Sequence, residues 1–252
     1  MNIAIKVGSN LLVGSGVECV GVNKEFIYSL CTQIAILRGM GHNVLLITSG
    51  AVASDGASHR SRNLRAAVGW LRLLDKYSEC FFNQGILEVA PILITDHELH
   101  HPEVFIATVM EAFNEEVQII LNANDPVNNK ESNNLAKCED NDRLTAGTAI
   151  ILKLDLVMFG IDRPGLMDDS GAVVQKVCLS EKETILGYAK GGSKHGFSEE
   201  GMRTKLEQMF RLAEHGIDAM LVPARENYAF VRALKFLTEK KGELSIGTLF
   251  TH

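Results

Sequence analysis

NIAIKV (residues 2–7) and NVLLITS (residues 43–49) decide the fold, because each is a short apolar run of the kind that forms a buried strand. Between them lies a helical pattern near residues 23–39, in which isoleucine and leucine recur at helical spacing. The order strand, helix, strand predicts a βαβ unit with two parallel strands.

The same alternation continues along the rest of the chain. Further buried strands are predicted at residues 86–95, 117–123, 155–160 and 218–223, and helices near residues 63–82, 103–114, 142–154 and 200–215. This pattern predicts an α/β fold in which helices cover both faces of a mainly parallel sheet. Ligands of such folds bind beyond the carboxyl ends of the strands, so polar residues directly after the strands are the first functional candidates.

Composition and charge narrow the possible functions. The chain of 252 residues has 25 basic and 31 acidic residues, and this net charge of −6 argues against a basic nucleic-acid surface. It shows neither a signal-peptide layout nor an apolar run of the roughly 18–20 residues that span a bilayer. The five scattered cysteines predict neither disulfides nor a zinc site. We therefore expect a cytoplasmic protein that acts on small molecules, without a nucleic-acid or membrane partner.

Lys6 lies within the first predicted strand, directly before the turn that contains Gly8 and Ser9. Small residues in such a turn let backbone N–H groups approach an anion closely. A lysine inside an apolar strand rarely lacks an anionic partner. The turn does not match a Walker A motif, and a lone glycine turn is more often structural. With Lys6, it becomes a candidate phosphate site.

The segment ITSGAVAS (residues 47–54) reads as a strand that runs into a helix N-terminus. Unpaired N–H groups and the helix dipole favour an anion at such a place. Ser49 could donate a hydrogen bond to that anion, with Gly50 beside it. An alternative stays open, in which Ser49 only caps the helix.

The acidic cluster CEDND (residues 138–142) opens a predicted helix, which Asp140 or Asp142 could cap. Repeated negative charge is costly unless cations lie nearby, and Lys6 and Lys205 are the candidate cations. The alternative for Lys205 is an ordinary surface lysine. Two cations beside carboxylates suit a kinase, because phosphoryl transfer depends mostly on positioning and charge neutralisation.

Seven motifs, taken in chain order, resemble the amino acid kinase superfamily and within it most closely the glutamate 5-kinase family: IKVGSNLL, ITSGAVAS, NANDPV, CEDNDRLTAG, DRPGLMD, GMRTKLEQ and SIGTLF. The likeness covers nearly the whole chain. It implies a three-layer α/β/α sandwich of the carbamate-kinase-like type, in one kinase domain over residues 1–252 without a C-terminal RNA-modification-type (PUA-like) domain. It also implies a homo-oligomer, either a dimer or a tetramer.

The resemblance implies transfer of the γ-phosphoryl group of ATP to the side-chain carboxylate of glutamate. The product would be glutamyl 5-phosphate, in the first step of proline biosynthesis. Such an acceptor is already ionised at neutral pH, so no general base is needed. Mg²⁺ would be held by phosphates and water, so no dedicated protein metal ligands are predicted.

The resemblance also assigns roles by position. Lys6 and Lys205 would stabilise the transferring group, and Asp142 would hold those lysines in place. Residues that would bind the amino acid are Ser49, Asn122, Lys137, Asp140 and Asn141. Residues that would meet the nucleotide and its phosphates are Gly8, Ser9, Gly50, Asp162, Gly201 and Thr204.

The chain departs from the family pattern at several positions. The family's GTGGM reads SEEGM here, which places Glu199 and Glu200 near the expected nucleotide, where negative charge opposes phosphate binding. Trp70 replaces the glutamine after AAVG, and Ile161 stands where a Ser or Thr is usual. Two alternatives therefore stay open. One is a superfamily member with another acceptor, such as an acylated glutamate, a carbamate or a phosphate monoester; the other is a catalytically weak amino-acid-binding or regulatory module.

Overall fold

The computed structural model describes residues 1–12, 22–56, 59–127, 141–188, 199–239 and 246–252. The strands are β1 (Asn2–Val7), β2 (Asn43–Thr48), β3 (Val89–Ile94), β4 (Gln118–Ala123), β5 (Leu156–Ile161), β6 (Lys176–Cys178), β7 (Asp218–Pro223) and β8 (Thr248–Thr251). The helices are α1 (Ser9–Leu12), α2 (Lys24–Gly39), α3 (Ala51–Asp55), α4 (Arg62–Phe82), α5 (Asp96–His100), α6 (Glu103–Asn114), α7 (Asn141–Leu152), α8 (Lys182–Tyr188), α9 (Glu199–Glu214) and α10 (Ala229–Glu239).

These strands form one sheet in the order β3-β4-β2-β1-β5-β7-β8-β6. Every neighbouring pair is parallel except β7 and β8, which confirms the predicted mainly parallel sheet. Strand β1 lies near the centre, where strands are covered on both faces and read as continuous apolar runs. Its residues Ile3, Ala4 and Ile5 are fully buried.

Helices cover both faces of the sheet, so the fold is the three-layer α/β/α sandwich that the sequence predicted. Side chains alternate between the faces along each strand. Ile3 and Ile5 pack in the core with α2, α4 and α10, whereas Ala4 packs in the core with α6, α7 and α9. Lys6 follows Ala4 in this alternation. Its side chain therefore projects into the layer that contains α7 and α9.

Helix α9 carries Lys205 and is fixed to the sheet by an apolar stripe on one face. Met202, Leu206 and Met209 are all buried against the sheet. The chain leaves the helix through Gly216, whose φ of 73° suits glycine at a helix end. The apolar face of α9 thus determines which way Lys205 points.

Four strand ends meet at the centre of the sheet. Strands β4, β2, β1 and β5 are neighbours in that order, and their carboxyl ends lie at one edge because all four are parallel. The ladder continues past the strands, since Ser49 N donates to Val7 O at 3.0 Å. Residues Gly8, Ser49 and Asp162 follow three of these strands directly.

Several elements were not predicted from the sequence, among them β6, β8 and α10. In the part of the chain that the structure describes, no helix combines the length and the apolar character that a bilayer span requires.

Candidate active site

A cavity of about 610 Å³ opens at the edge where the four strand ends meet. This volume lies within the range of small-molecule sites. Its walls come from the turns after β1 and β2, from β4 and β5, and from α4, α7 and α9. The predicted site residues that line it are Lys6, Gly8, Ser9, Ser49, Gly50, Asn122, Asn141, Asp142, Asp162 and Lys205.

Two lysines from different elements meet on one carboxylate in this cavity. The Lys6 Nζ atom lies 2.5 Å from Asp142 Oδ1, and the Lys205 Nζ atom donates to Asp142 Oδ2 at 2.7 Å. The exposed fractions of Lys6, Asp142 and Lys205 are 7%, 5% and 9%. Because both ammonium groups bind the same carboxylate, they lie close together at the wall of the cavity.

The ionisation of Asp142 reflects two opposing effects. Burial raises the pKa of this carboxyl group, because removal from water disfavours the charged form. The charges and hydrogen bonds of Lys205 and Lys6 outweigh burial and lower the pKa to about 2. Asp142 is therefore ionised at neutral pH and is only a weak base there.

The burial of Lys6, Asp142 and Lys205 bears on whether this ion cluster serves stability or ligand binding. A buried ion pair contributes little net stability, because the loss of hydration offsets most of the attraction. An apolar cluster of similar size would stabilise the fold at least as well. The conjunction of Lys6, Asp142 and Lys205 at a cavity is thus better explained by ligand chemistry than by stability.

An aromatic ring also supports Lys205. The Lys205 Nζ atom lies 5.2 Å from the centroid of the Phe159 ring, within the range of a cation–π contact. Phe159 is the register partner of Lys6 across β1 and β5, so both side chains project from the same face of the sheet. The position of Lys205 is therefore fixed by a carboxylate and a ring.

A second, uncharged network lies beside the ion cluster. Asn141 Nδ2 donates to Ser49 Oγ at 2.6 Å and lies 3.5 Å from Asn122 Oδ1. Asn122 Oδ1 also accepts the backbone N–H of Ala123 at 2.9 Å. Asn141 Oδ1 is buried and has no hydrogen-bond partner among the described residues. It is available to accept a hydrogen bond from a ligand.

The geometry of Ser49 settles one alternative. Helix α3 has Gly50 as its N-cap residue, without a side-chain capping bond. The alternative in which Ser49 merely caps this helix is therefore wrong, and its hydroxyl group instead contacts Asn141. The alternative of Lys205 as an ordinary surface lysine is also wrong, because Lys205 is only 9% exposed.

Two glycines keep the cavity open next to Lys6. Gly50 has a φ of 93°, a left-handed conformation that side-chain-bearing residues rarely adopt. A Cβ atom on Gly50 would come within 3.1 Å of Leu12, and one on Gly8 would lie 3.9 Å from Lys6 Nζ. The absence of side chains here lets an anion approach the backbone.

The remaining predicted site residues are not among the described residues that line the cavity. Thr204 lies on α9 beside Lys205, but it is not part of the cavity lining. Gly201 lies in the first turn of α9. Lys137 and Asp140 lie outside the described residues, as does the polar connection 128–137, which the sequence marks as a candidate lid or substrate-binding segment.

Four polar residues of the cavity were missed by the sequence analysis: Asn10, Arg62, Arg65 and Asp125. Arg62 and Arg65 lie in the first turn of α4, and Arg62 Nη1 is 3.8 Å from Asp125 Oδ1. A spacing of three residues puts both arginines on one helix face, and this signal could have found them. Trp70, on the same helix, is buried in the core with α2, so this departure from the family pattern is a packing residue.

Comparison with solved structures places this chain within a fold class. The carbamate kinase of Giardia superimposes with a TM-score of 0.70 at 14% identity, over 99% of this chain and 98% of that chain. The N-acetylglutamate synthase of Neisseria gonorrhoeae, solved with coenzyme A and N-acetyl-glutamate, gives a TM-score of 0.68 at 11% identity, over 100% of this chain and 59% of that chain. At such low identity these likenesses show the fold alone, which is the carbamate-kinase-like α/β/α sandwich.

Sequence comparison then gives the family. The model of the amino acid kinase family matches residues 1–223, and the chain belongs to this family. A relative named glutamate 5-kinase from Thermotoga maritima is 29% identical over 262 residues, which covers 99% of this chain and 68% of the relative. Another of that name from Citrifermentans bemidjiense is 31% identical over 269 residues, with 98% and 67% covered. The chain thus spans about two thirds of these curated relatives, whose names support a phosphotransferase.

Proposed function

We propose that this chain transfers the γ-phosphoryl group of ATP to the side-chain carboxylate of glutamate. The observation that carries the proposal is the contact of Lys6 and Lys205 with Asp142 next to the Ser49–Asn141–Asn122 network. One part of the cavity holds clustered positive charge, and the adjoining part holds uncharged hydrogen-bonding groups. The relatives named glutamate 5-kinase support this acceptor over others in the family.

The transfer half of the cavity consists of Lys6, Asp142 and Lys205. In the reaction, an oxygen of the acceptor carboxylate attacks the γ-phosphorus, the bond from that phosphorus to the bridging oxygen breaks, and ADP leaves. The two ammonium groups offset the negative charge of the phosphoryl oxygens, which is the main task of a phosphoryl-transfer site. Asp142 holds both ammonium groups in place.

The phosphates of ATP would lie against the turns that contain Gly8, Ser9 and Gly50, because these turns leave room above Lys6. Asp162, exposed at the end of β5, would meet the nucleotide, as would Thr204 and Gly201 of α9. Among the described residues no group of three or more His, Cys, Asp or Glu side chains could hold a metal ion. Mg²⁺ would enter with ATP and neutralise part of its charge.

The acceptor half consists of Ser49, Asn122, Asn141 and Arg65. Asn141 Oδ1 lacks a partner and would accept a hydrogen bond from the amino group of the substrate. Lys137 and Asp140 belong to this half in the proposal on sequence grounds. No base is required, because the acceptor carboxylate is ionised at neutral pH.

The same proposal includes the biosynthetic pathway of the reaction and the domain and oligomeric organisation of the protein. The reaction, which yields glutamyl 5-phosphate, would be the first step of proline biosynthesis. The chain would act as one kinase domain and assemble into a homo-oligomer.

The proposal is tested by incubating purified protein with Mg-ATP, hydroxylamine and a panel of acceptors. Hydroxylamine converts an acyl phosphate into a hydroxamate, and ADP release is followed in parallel. We expect glutamate-dependent hydroxamate. Turnover only with an acylated glutamate, a carbamate or a phosphate monoester would show that glutamate is not the acceptor. Absence of turnover with every acceptor would favour the catalytically weak amino-acid-binding or regulatory module.

A further inference from the structure

Arg65 has a buried hydrogen-bond donor that nothing in the described chain satisfies. It is partly buried in the first turn of α4, and its side chain lines the cavity. Its Nε atom is inaccessible to solvent and has no hydrogen-bond partner among the described residues. Buried donors in native proteins almost always have a partner, and an unpaired donor on a charged group is costly. An anionic ligand group in the cavity beside this guanidinium group would offset the cost through its charge.

The other arginines of this region have partners. Arg60 and Arg72 contact the buried carboxylate of Asp55 at 2.8 and 3.4 Å. Arg62 lies 3.8 Å from Asp125. Arg65 thus differs from its neighbours, because its guanidinium group faces the cavity while its buried Nε remains unsatisfied.

The location of Arg65 assigns it to the acceptor half. The first turn of α4 is tied to the loop after β4, because Asn63 Nδ2 donates to the carbonyl oxygen of Asp125 at 2.9 Å. Strand β4 carries Asn122, and it is separated from β5 by β2 and β1. Asp162, on the nucleotide side, follows β5. The sheet order therefore places Arg65 beside the acceptor and away from the nucleotide.

We propose that Arg65 binds a second carboxylate of the acceptor, the one that does not receive the phosphoryl group. The inference rests on the proposed function and deepens it, since it makes the acceptor a dicarboxylate. Guanidinium and carboxylate groups match in geometry, and a charge-assisted hydrogen bond is stronger than a neutral one. For glutamate, this second group is the α-carboxylate.

The proposal predicts a specific form of selectivity. 4-Aminobutyrate has an amino group and the carboxylate that would be phosphorylated, but it lacks the α-carboxylate. Wild-type protein should strongly prefer glutamate. In Arg65→Gln, kcat/KM for glutamate should fall roughly 10- to 100-fold, mostly through KM, while kcat/KM for 4-aminobutyrate should stay the same. Arg65→Lys should recover part of the glutamate affinity because it restores the charge.

The test combines the hydroxamate assay with calorimetric titration of glutamate into wild type, Arg65→Gln and Arg65→Lys. Arg232→Gln is the matched control, because Arg232 lies on α10 and pairs with Glu226 on the surface. It should leave both measurements unchanged. Circular dichroism melting of each variant separates a folding defect from a binding defect.

The outcomes separate this inference from the proposed function. If glutamate binds but is not phosphorylated, and Arg65→Gln weakens its binding, the proposed function fails and the role of Arg65 stands. If glutamate is phosphorylated with equal KM in wild type and Arg65→Gln, or if the variant loses glutamate and 4-aminobutyrate equally, the role of Arg65 is refuted. If wild type neither binds nor phosphorylates glutamate, both are refuted.

Discussion

The transfer half and the acceptor half of the cavity solve different physical problems. In the transfer half, Lys6, Asp142 and Lys205 bind one another through contacts of 2.5 and 2.7 Å. In the acceptor half, neutral amides bind each other, and the buried Asn141 Oδ1 and Arg65 Nε atoms have no partner among the described residues. In the proposed function, the first half is assembled before a ligand arrives, whereas the second would be completed by one.

This difference predicts which kinetic constant changes when each half is mutated. Groups that are fixed in advance act on the charge that develops during transfer, so their loss should lower kcat. Groups that wait for a ligand contribute to binding in the ground state and transition state alike, so their loss should raise KM. Mutations in the transfer half should therefore mainly lower kcat, whereas mutations in the acceptor half should mainly raise KM.

The largest effect is expected for Asp142→Asn. This change leaves two buried ammonium groups without their shared carboxylate, which should lower the free energy of unfolding by about 3–5 kcal/mol. With both lysines no longer held, kcat should fall at least ~100-fold. Urea unfolding and the hydroxamate assay measure the two quantities. Asp75→Asn is the control, because Asp75 pairs with Lys76 on the surface of α4; equal behaviour of the two variants would contradict the account.

Lys205→Ala should have a large effect on rate alone. Loss of one ammonium group at the transferring phosphoryl should lower kcat by roughly 100- to 1,000-fold, while the KM for glutamate changes little. Steady-state kinetics with glutamate as the varied substrate give both constants. Lys182→Ala removes a lysine that pairs with Glu214 near the other end of α9, and it should keep the wild-type kcat. An unchanged kcat in Lys205→Ala would remove this lysine from the transfer half.

The pKa of Asp142 predicts a pH dependence of stability. This pKa is about 2 in the folded protein against an ordinary value of 3.8, so ionised Asp142 stabilises the fold above about pH 4. That contribution, about 2 kcal/mol, is lost as the pH falls towards 2. The stability difference between wild type and Asp142→Asn should therefore shrink by this amount. Urea unfolding of both proteins between pH 6 and 2.5 measures it, and a constant difference would disagree with the contacts of Lys6 and Lys205.

The smallest effect is expected for Asn141→Ala in the acceptor half. It removes the hydrogen bond to Ser49 and the free Oδ1 acceptor, which should raise the KM for glutamate about 10-fold with kcat almost unchanged. Asn114→Ala, at the exposed end of α6, is the control. A lower kcat with an unaltered KM would move Asn141 to the transfer half.

The sequence predicted the central fold because its strands are buried on both faces and therefore read as apolar runs. The edge of the sheet was harder to predict. Strand β6 has only three residues and β8 is short, so neither produces a clear pattern. Helix α10 was missed although Phe230, Leu234 and Leu237 recur at helical spacing, a signal that could have found it.

For the site, the sequence identified Lys6 because a lysine in an apolar strand requires an explanation. It did not identify Arg65, because an arginine in the first turn of a helix is usually a solvated residue. The three-residue spacing from Arg62 places the two side chains on one helix face, and the packing of α4 against α3 turns that face towards the cavity. Gly69 permits that packing, since a Cβ atom there would lie 1.8 Å from the carbonyl oxygen of Ala51.

The division of the cavity is tested most directly by single-turnover transfer from ATP at saturating glutamate, in wild type, Lys205→Ala and Asn141→Ala. At saturation, affinity no longer affects the observed rate constant, so only the chemistry of transfer is compared. The account predicts a rate constant at least ~100-fold lower for Lys205→Ala and close to wild type for Asn141→Ala. Equal rate constants for the two variants would contradict the separation into a transfer half and an acceptor half.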